Sequence, residues 1–151
     1  MKETLRIARL YFALLAIVTL GRWCTGFLGV PYERGHHYFS LVILTVFSCI
    51  YYGAFARRCR GFSVARAMLL GATLGLTTQL VILVSTLASY TLGIDSYFNA
   101  PGALNASAPV ALQDAVINRL NGLVANTFSS VVVAALGWAL GGLLPAQSEA
   151  V

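Results

Sequence analysis

Glu33-Arg34-Gly35-His36-His37 is the stretch of this chain whose residue types invite metal or acid–base chemistry. Glu-x-x-His spacing puts a carboxylate and an imidazole on one face of a helix, and Cys24 lies shortly upstream. Carboxylate, imidazole and thiolate are all metal ligands. Three features argue against a site. Carboxylate di-metal centres use two such motifs and two further carboxylates, and no second copy occurs here. Gly35 weakens any helix between Glu33 and His36. Adjacent histidines project about 100° apart on a helix, so His36 and His37 are a poor chelating pair. The competing reading is a membrane rim. Trp23, Tyr32, Tyr38 and Phe39 suit an interfacial aromatic belt, and Gly26, Gly29, Pro31 and Gly35 suit turns. The rim accounts for more residues. The expectation is therefore no catalytic residue, no cofactor and no metal, with Cys24, Glu33, His36 and His37 as the ligand set to test.

The elements that carry this stretch are apolar helices. Of 151 residues, 58% are hydrophobic and 10% charged, against about 25% charged in a soluble domain. Such a chain lacks the polar residues to cover a surface in water. A helix needs about 20 mostly apolar residues to cross a bilayer. Uncharged runs of that length, Tyr38–Ala56, Ala67–Leu92 and Leu120–Leu144, predict spans at about 38–56, 67–92 and 118–144. The first run, Leu10 to Gly21, is shorter, and two registers can extend it. The helix can start near Thr4, with Arg6 and Arg9 snorkelling and Trp23 in the aromatic belt, giving a span at about 5–23. Or it can continue to Val30, which places Arg22 within the hydrocarbon. The first register is favoured, because an unpaired charge at depth costs several kcal/mol. The fold class is thus all-α: a polytopic membrane protein with a four-transmembrane-helix bundle, in one membrane domain over 1–151.

Charge sets the orientation. Lys2, Arg6 and Arg9 precede the first span, and Arg57, Arg58, Arg60 and Arg66 separate the second and third. By the positive-inside rule both termini and the 57–66 turn are cytoplasmic, and the connections at 24–37 and 93–117 lie outside. The membrane is a plasma or inner membrane. Arg6, Arg9, Trp23, Arg57, Arg58 and Arg60 are the anchoring residues. The net charge of +5 does not imply nucleic acid, because the basic residues flank apolar runs. Cys24, Cys49 and Cys59 fall outside, within and inside the membrane, so no disulfide is expected among them. In the 94–119 segment, Ser107 is a candidate N-cap, with Pro109 in the first turn of the helix that follows.

Small residues mark contact faces. Gly71 and Gly75, with Gln79 next on the same face, let a second backbone approach and offer it a hydrogen bond. Equal depth in antiparallel helices pairs Gln79 with Ser130. The fourth span carries Gly122, Asn126, Ser130 and Ala134 on one face, and Gly137 and Gly141 on another. No carboxylate or histidine lies inside any span, and proton-coupled transporters generally need one there. Three functions follow in order. The first is a non-enzymatic subunit or assembly component of a larger membrane complex. The second is a homo-oligomeric channel or transporter for a neutral or small solute, with Gln79, Asn126, Ser129 and Ser130 on its path. The third is a metal or redox protein using the outer loop. The partners expected are the lipid bilayer and other membrane subunits or a second copy.

Overall fold

The computed structural model describes residues 6–143. Lys2, Thr4 and residues 5 and 144 of the expected spans lie outside these. Helix α1 runs Arg9–Phe27, a single turn α2 Tyr32–Gly35, α3 Leu41–Arg60, α4 Val64–Leu92 and α5 Leu112–Gly141. A 3-10 turn occupies Pro101–Leu104, and no strand occurs among the described residues. Four of these helices, α1, α3, α4 and α5, are long and apolar enough to cross a membrane.

The bundle is apolar on its outer surface, and hydroxyl side chains lie among the apolar ones of its interior. Leu20, Phe47, Val84, Val124 and Phe128 are 63–69% exposed, while Thr45, Thr78, Ser85, Thr86, Ser89 and Ser130 are buried. A surface of that kind is unfavourable in water and suits an apolar solvent. Several buried hydroxyls are satisfied within their own helix, whereas the Thr127 hydroxyl is buried without a partner among the described residues. Thr78, Thr86, Ser89 and Ser130 each donate to the carbonyl four residues back, at 2.8–3.0 Å.

The helices run further than the uncharged stretches. Arg57, Arg58 and Arg60 form the last turn of α3, where they complement its dipole, and Arg66 lies in the first turn of α4. An uncharged run marks what oil tolerates, whereas backbone hydrogen bonding continues past it. Left-handed Gly61 and Gly93 end α3 and α4, with φ of 57° and 64°. Ser40 caps the start of α3 by accepting from the Ile43 N–H. The 94–119 segment departs from expectation. Helix α5 starts at Leu112, without a side-chain cap, rather than at Ser107. The Tyr90 hydroxyl donates to Val110 O at 2.7 Å and Asn118 Nδ2 to Leu104 O at 3.2 Å. These bonds hold residues 105–111 across the bundle end, so Pro109 precedes the helix.

Helix α5 is the axis of the assembly, packed along α4 and α3. A Cβ on Gly71 would meet Ala134 Cβ at 2.5 Å and Ser130 O at 2.6 Å, and one on Gly75 would meet Ser130 Oγ at 2.6 Å. A Cβ on Gly141 would meet Ala54 O at 2.7 Å, and Gly137 lies as closely on Ile50. One face of α5 therefore seats α4 and the other seats α3. Gln79 does not pair with Ser130. Ser130 faces Gly71 and Gly75, and Gln79 Oε1 lies beside Gly122. Depth counted from the ends of uncharged runs is good only to a turn or two, and α5 extends eight residues before its run, to Leu112.

Helix α1 sits to the side and is staggered. The Tyr11 hydroxyl bonds Thr45 Oγ1 at 3.0 Å, Leu74 O at 3.2 Å and Thr78 Oγ1. Thr78 is about 21 Å along α4 from Val64 at 1.5 Å per residue. The start of α1, with Arg9, therefore stands beside the middle of α4, and its end reaches the two long connections. Helix α1 continues to Phe27 rather than stopping near residue 23. Arg22 is consequently inside the helix, more than a turn from its end.

Candidate functional site

The bundle end that holds the 28–40 and 93–111 connections, here the loop end, gathers polar side chains, some that fasten the loops and some that do not. Tyr97 is 3% exposed and donates to Val30 O at 2.8 Å, which ties the α1–α2 connection to the 95–98 segment. Burial raises its phenol above the ordinary value and the charge of Arg22 draws it back, so it remains a donor. Any side chain at Gly35 would collide with that hydroxyl. Asn99 Oδ1 accepts from the Ser96 N–H at 2.8 Å and closes the same segment.

Arg119 fastens the loops to the helices. Its Nε donates to Thr86 Oγ1 at 3.0 Å, Nη1 to Ala103 O at 3.0 Å and Nη2 to Phe98 O at 2.8 Å. Arg22 is held differently. Its guanidinium carbon lies 5.6 Å from the Tyr97 and Phe98 ring centroids and 5.9 Å from that of Tyr32. Three aromatic faces seat the cation by their quadrupoles. It makes no hydrogen bond among the described residues, so its donors are unspent. Neither guanidinium has an ion-pair partner among the described residues.

The two arginines share a hollow. A cavity of about 190 Å³ is lined by Arg22, Tyr32, His36, Ser40, Phe98 and Arg119. A larger one of about 440 Å³ is lined by Gln79, Asn105, Asn118, Arg119, Asn121 and Asn126, with Gly122 and Ala125. Val42, Ile82, Ala103 and Arg119 line both, so the two adjoin. No carboxylate lines either. Gln79 is 6% exposed, lines the larger cavity and makes no hydrogen bond among the described residues. Its carboxamide faces the cavity, where a ligand or water can reach it.

No family model, curated protein or solved structure matches this chain. Function therefore has to be read from the cavity itself.

The ligand set proposed around Glu33 is not assembled. His36 is the residue after the α2 turn, and its Nδ1 donates to the carbonyls of Tyr32 and Glu33, each at 3.1 Å. The ring stacks on Tyr32 and lies 3.7 Å, centroid to centroid, from His37. Cys24 is exposed. Among the described residues, no three His, Cys, Asp or Glu side chains converge as metal ligands. His36 and Ser40 both line the smaller cavity but do not bond each other; Ser40 Oγ is engaged as the α3 cap. Of the residues singled out on the helices, Gln79 and Asn126 line the larger cavity, while Ser129 bonds Ala125 O on the exposed side. At the opposite end Arg57 lies 4.1 Å over the Trp138 ring and reaches Trp138 O at 3.4 Å, covering the end of α5. Arg6, Arg9, Trp23, Arg58 and Arg60 are outside the cavity linings.

Sequence reasoning passed over Arg22 and Arg119 as a pair. Each carried a signal. Arg22 is a cation in an apolar helix with no nearby acid, and Arg119 stands among Asn118, Asn121 and Asn126.

Proposed function

We propose that this chain is a non-enzymatic integral membrane protein, with its loop end outside, that binds an anionic group in the loop-end cavity. The carrying observation is Arg22, a cation with unspent donors, sharing a carboxylate-free cavity with Arg119. Two like charges in a hollow repel each other and are relieved by an anion between them. Guanidinium forks fit phosphate and carboxylate oxygens bidentately. Aromatic faces hold Arg22 without consuming its hydrogen atoms. The lining offers no carboxylate for general acid–base work. The cavity ends at Gln79 and Asn126, and beyond it α3 and α5 touch at Gly53 and Gly137, which favours holding a ligand over conducting one. The small-residue faces that suggested a partner subunit or a second copy are filled within the bundle, so they lend that reading no support.

Purified protein in neutral detergent should unfold at a higher temperature in inorganic phosphate than in chloride of equal ionic strength. Arg22→Gln should lose that shift, because a charged hydrogen bond contributes about 1.5–3 kcal/mol, roughly tenfold or more in affinity. Equal midpoints in the two salts, or a full shift in Arg22→Gln, would refute anion binding. The orientation rests on Arg57, Arg58, Arg60 and Arg66 at the opposite end. Reporter fusions at residue 62 and at the C-terminus should both report the cytoplasm, and an external signal from either overturns the topology.

A further inference from the structure

We infer that the loop-end cavity is a lateral port for a lipid, one whose anionic phosphate sits within a few atoms of ester carbonyls. Arg22 and Arg119 take the phosphate, Gln79 and Asn126 take the carbonyls, and the chains leave between α3 and α5. This rests on the anion-binding reading above and adds what the anion is attached to.

The first support is the shape of the α3–α5 pair. The close approaches join Gly53 to Ala134, Gly137 to Ile50 and Gly141 to Ala54, all in the half of the bundle near the 57–66 turn. Towards the loop end the two helices part, and the larger cavity fills the gap between Val42 on α3 and Ala125 and Asn126 on α5. Val42 is 48% exposed, and Ala125 and Asn126 are exposed too, so the gap opens on the flank of the bundle. A soluble anion needs an opening at the end only. An opening on the flank serves a molecule that arrives within the membrane.

The second support is depth. Helix α3 has 20 residues, about 30 Å, which matches a hydrocarbon core. Its cap Ser40 lines the smaller cavity with Arg22, so the guanidiniums stand at the head-group boundary. Gln79 and Asn126 lie about 22 Å from the turn end along α4 and α5, hence about 8 Å below that boundary. That depth is already inside the hydrocarbon, but in a phosphoglyceride the ester carbonyls lie only a few bonds from the phosphate, so a lipid whose phosphate is held by the arginines carries its carbonyls towards the two amides. Ester carbonyls are acceptors, and carboxamide N–H groups are donors. Both amides flank Gly122, where a Cβ would lie 3.5 Å from Asn126 Nδ2 and 3.7 Å from Gln79 Oε1. The glycine therefore keeps room in front of the two amides. Gln79 has no hydrogen bond among the described residues, although it is almost wholly buried. An apolar solvent cannot satisfy it, so a carbonyl-bearing ligand fits it better than an alkyl chain.

The test uses the full chain in neutral detergent with four probes: dioleoyl phosphatidate, its dialkyl ether analogue, dioleoyl phosphatidylcholine and glycerol 3-phosphate. Affinity is read from the thermal shift and from lipid retained in native mass spectrometry. The diester phosphatidate should bind most tightly, with the ether analogue roughly three- to tenfold weaker, the range of one or two neutral hydrogen bonds. Gln79→Leu breaks no bond of the protein, and it should bind diester and ether forms equally. Gly122→Leu should exclude both while leaving the ligand-free unfolding temperature close to the parent's. Glycerol 3-phosphate binding as tightly as phosphatidate, and lost in Arg22→Gln, keeps the anion reading and overturns the lipid port. Equal binding of phosphatidylcholine and phosphatidate overturns the port as well, since the neutral head group needs no arginine pair. Binding of none of the phosphates defeats both readings.

Discussion

Gly71→Leu/Gly75→Leu is expected to take the bundle apart. The two glycines lie where α4 rests on α5, and a Cβ at either would come within 2.5–2.7 Å of Ser130 or Ala134 atoms. The first obstruction at Gly71 includes the Ser130 carbonyl oxygen, which is backbone and cannot rotate away. The helices must separate, and the loss then spreads along the α4–α5 contact. Inserting methylenes into a packed interface costs about 1–3 kcal/mol per site, so the pair should lose roughly 3 kcal/mol or more. That is a large share of a small protein's stability. The loss should appear as a lowered thermal midpoint in detergent, with the parent's size-exclusion peak giving way to aggregate. Gly122→Ala, on the facing helix α5, is the control, because its Cβ meets only ordinary contacts. A double leucine variant with the parent's midpoint would show that α4 and α5 do not meet at this seam.

That seam also shows how far the sequence could be read. Gly71 and Gly75 at four-residue spacing announce a helix contact, and uncharged runs announce four apolar helices. Neither says which helix answers. Spacing is a property of one helix, and register depends on where the partner begins. Helix α5 begins at Leu112, inside a segment whose turn residues suggested a start at Ser107. The start is settled by distant bonds, Tyr90 to Val110 and Asn118 to Leu104. The cavity was less legible still. Arg22 belongs to α1 and Arg119 to α5, and they meet only because Phe98 and Ala103 are folded back between them. His36 drew attention by residue type, yet its Nδ1 is engaged by backbone carbonyls. Arg22, flanked by apolar residues, looked like a charge to be kept out of the membrane, and its three aromatic neighbours come from α2 and the 95–98 segment.

Arg119→Met should release the loop end while leaving the α4–α5 seam in place. The side chain spends three donors on Thr86 Oγ1, Ala103 O and Phe98 O. Methionine preserves much of the packing but donates nothing. The Ala103 carbonyl then loses its partner outright, whereas Phe98 O keeps the Thr86 hydroxyl at 3.2 Å. Each buried polar group left unpaired costs about 1–3 kcal/mol, so a loss of roughly 3 kcal/mol is expected, confined to the loops. Hydrogen exchange should show it as faster exchange through residues 96–106, with residues 70–80 of α4 still protected. Arg119→Lys separates fork from charge. An ammonium restores the positive charge but cannot reach two carbonyls and a hydroxyl in one plane, so exchange in 96–106 should stay fast. Parent-like protection in the lysine variant would mean that charge alone orders the loops. Parent-like protection in the methionine variant would mean that Tyr97, through Val30, holds them without Arg119.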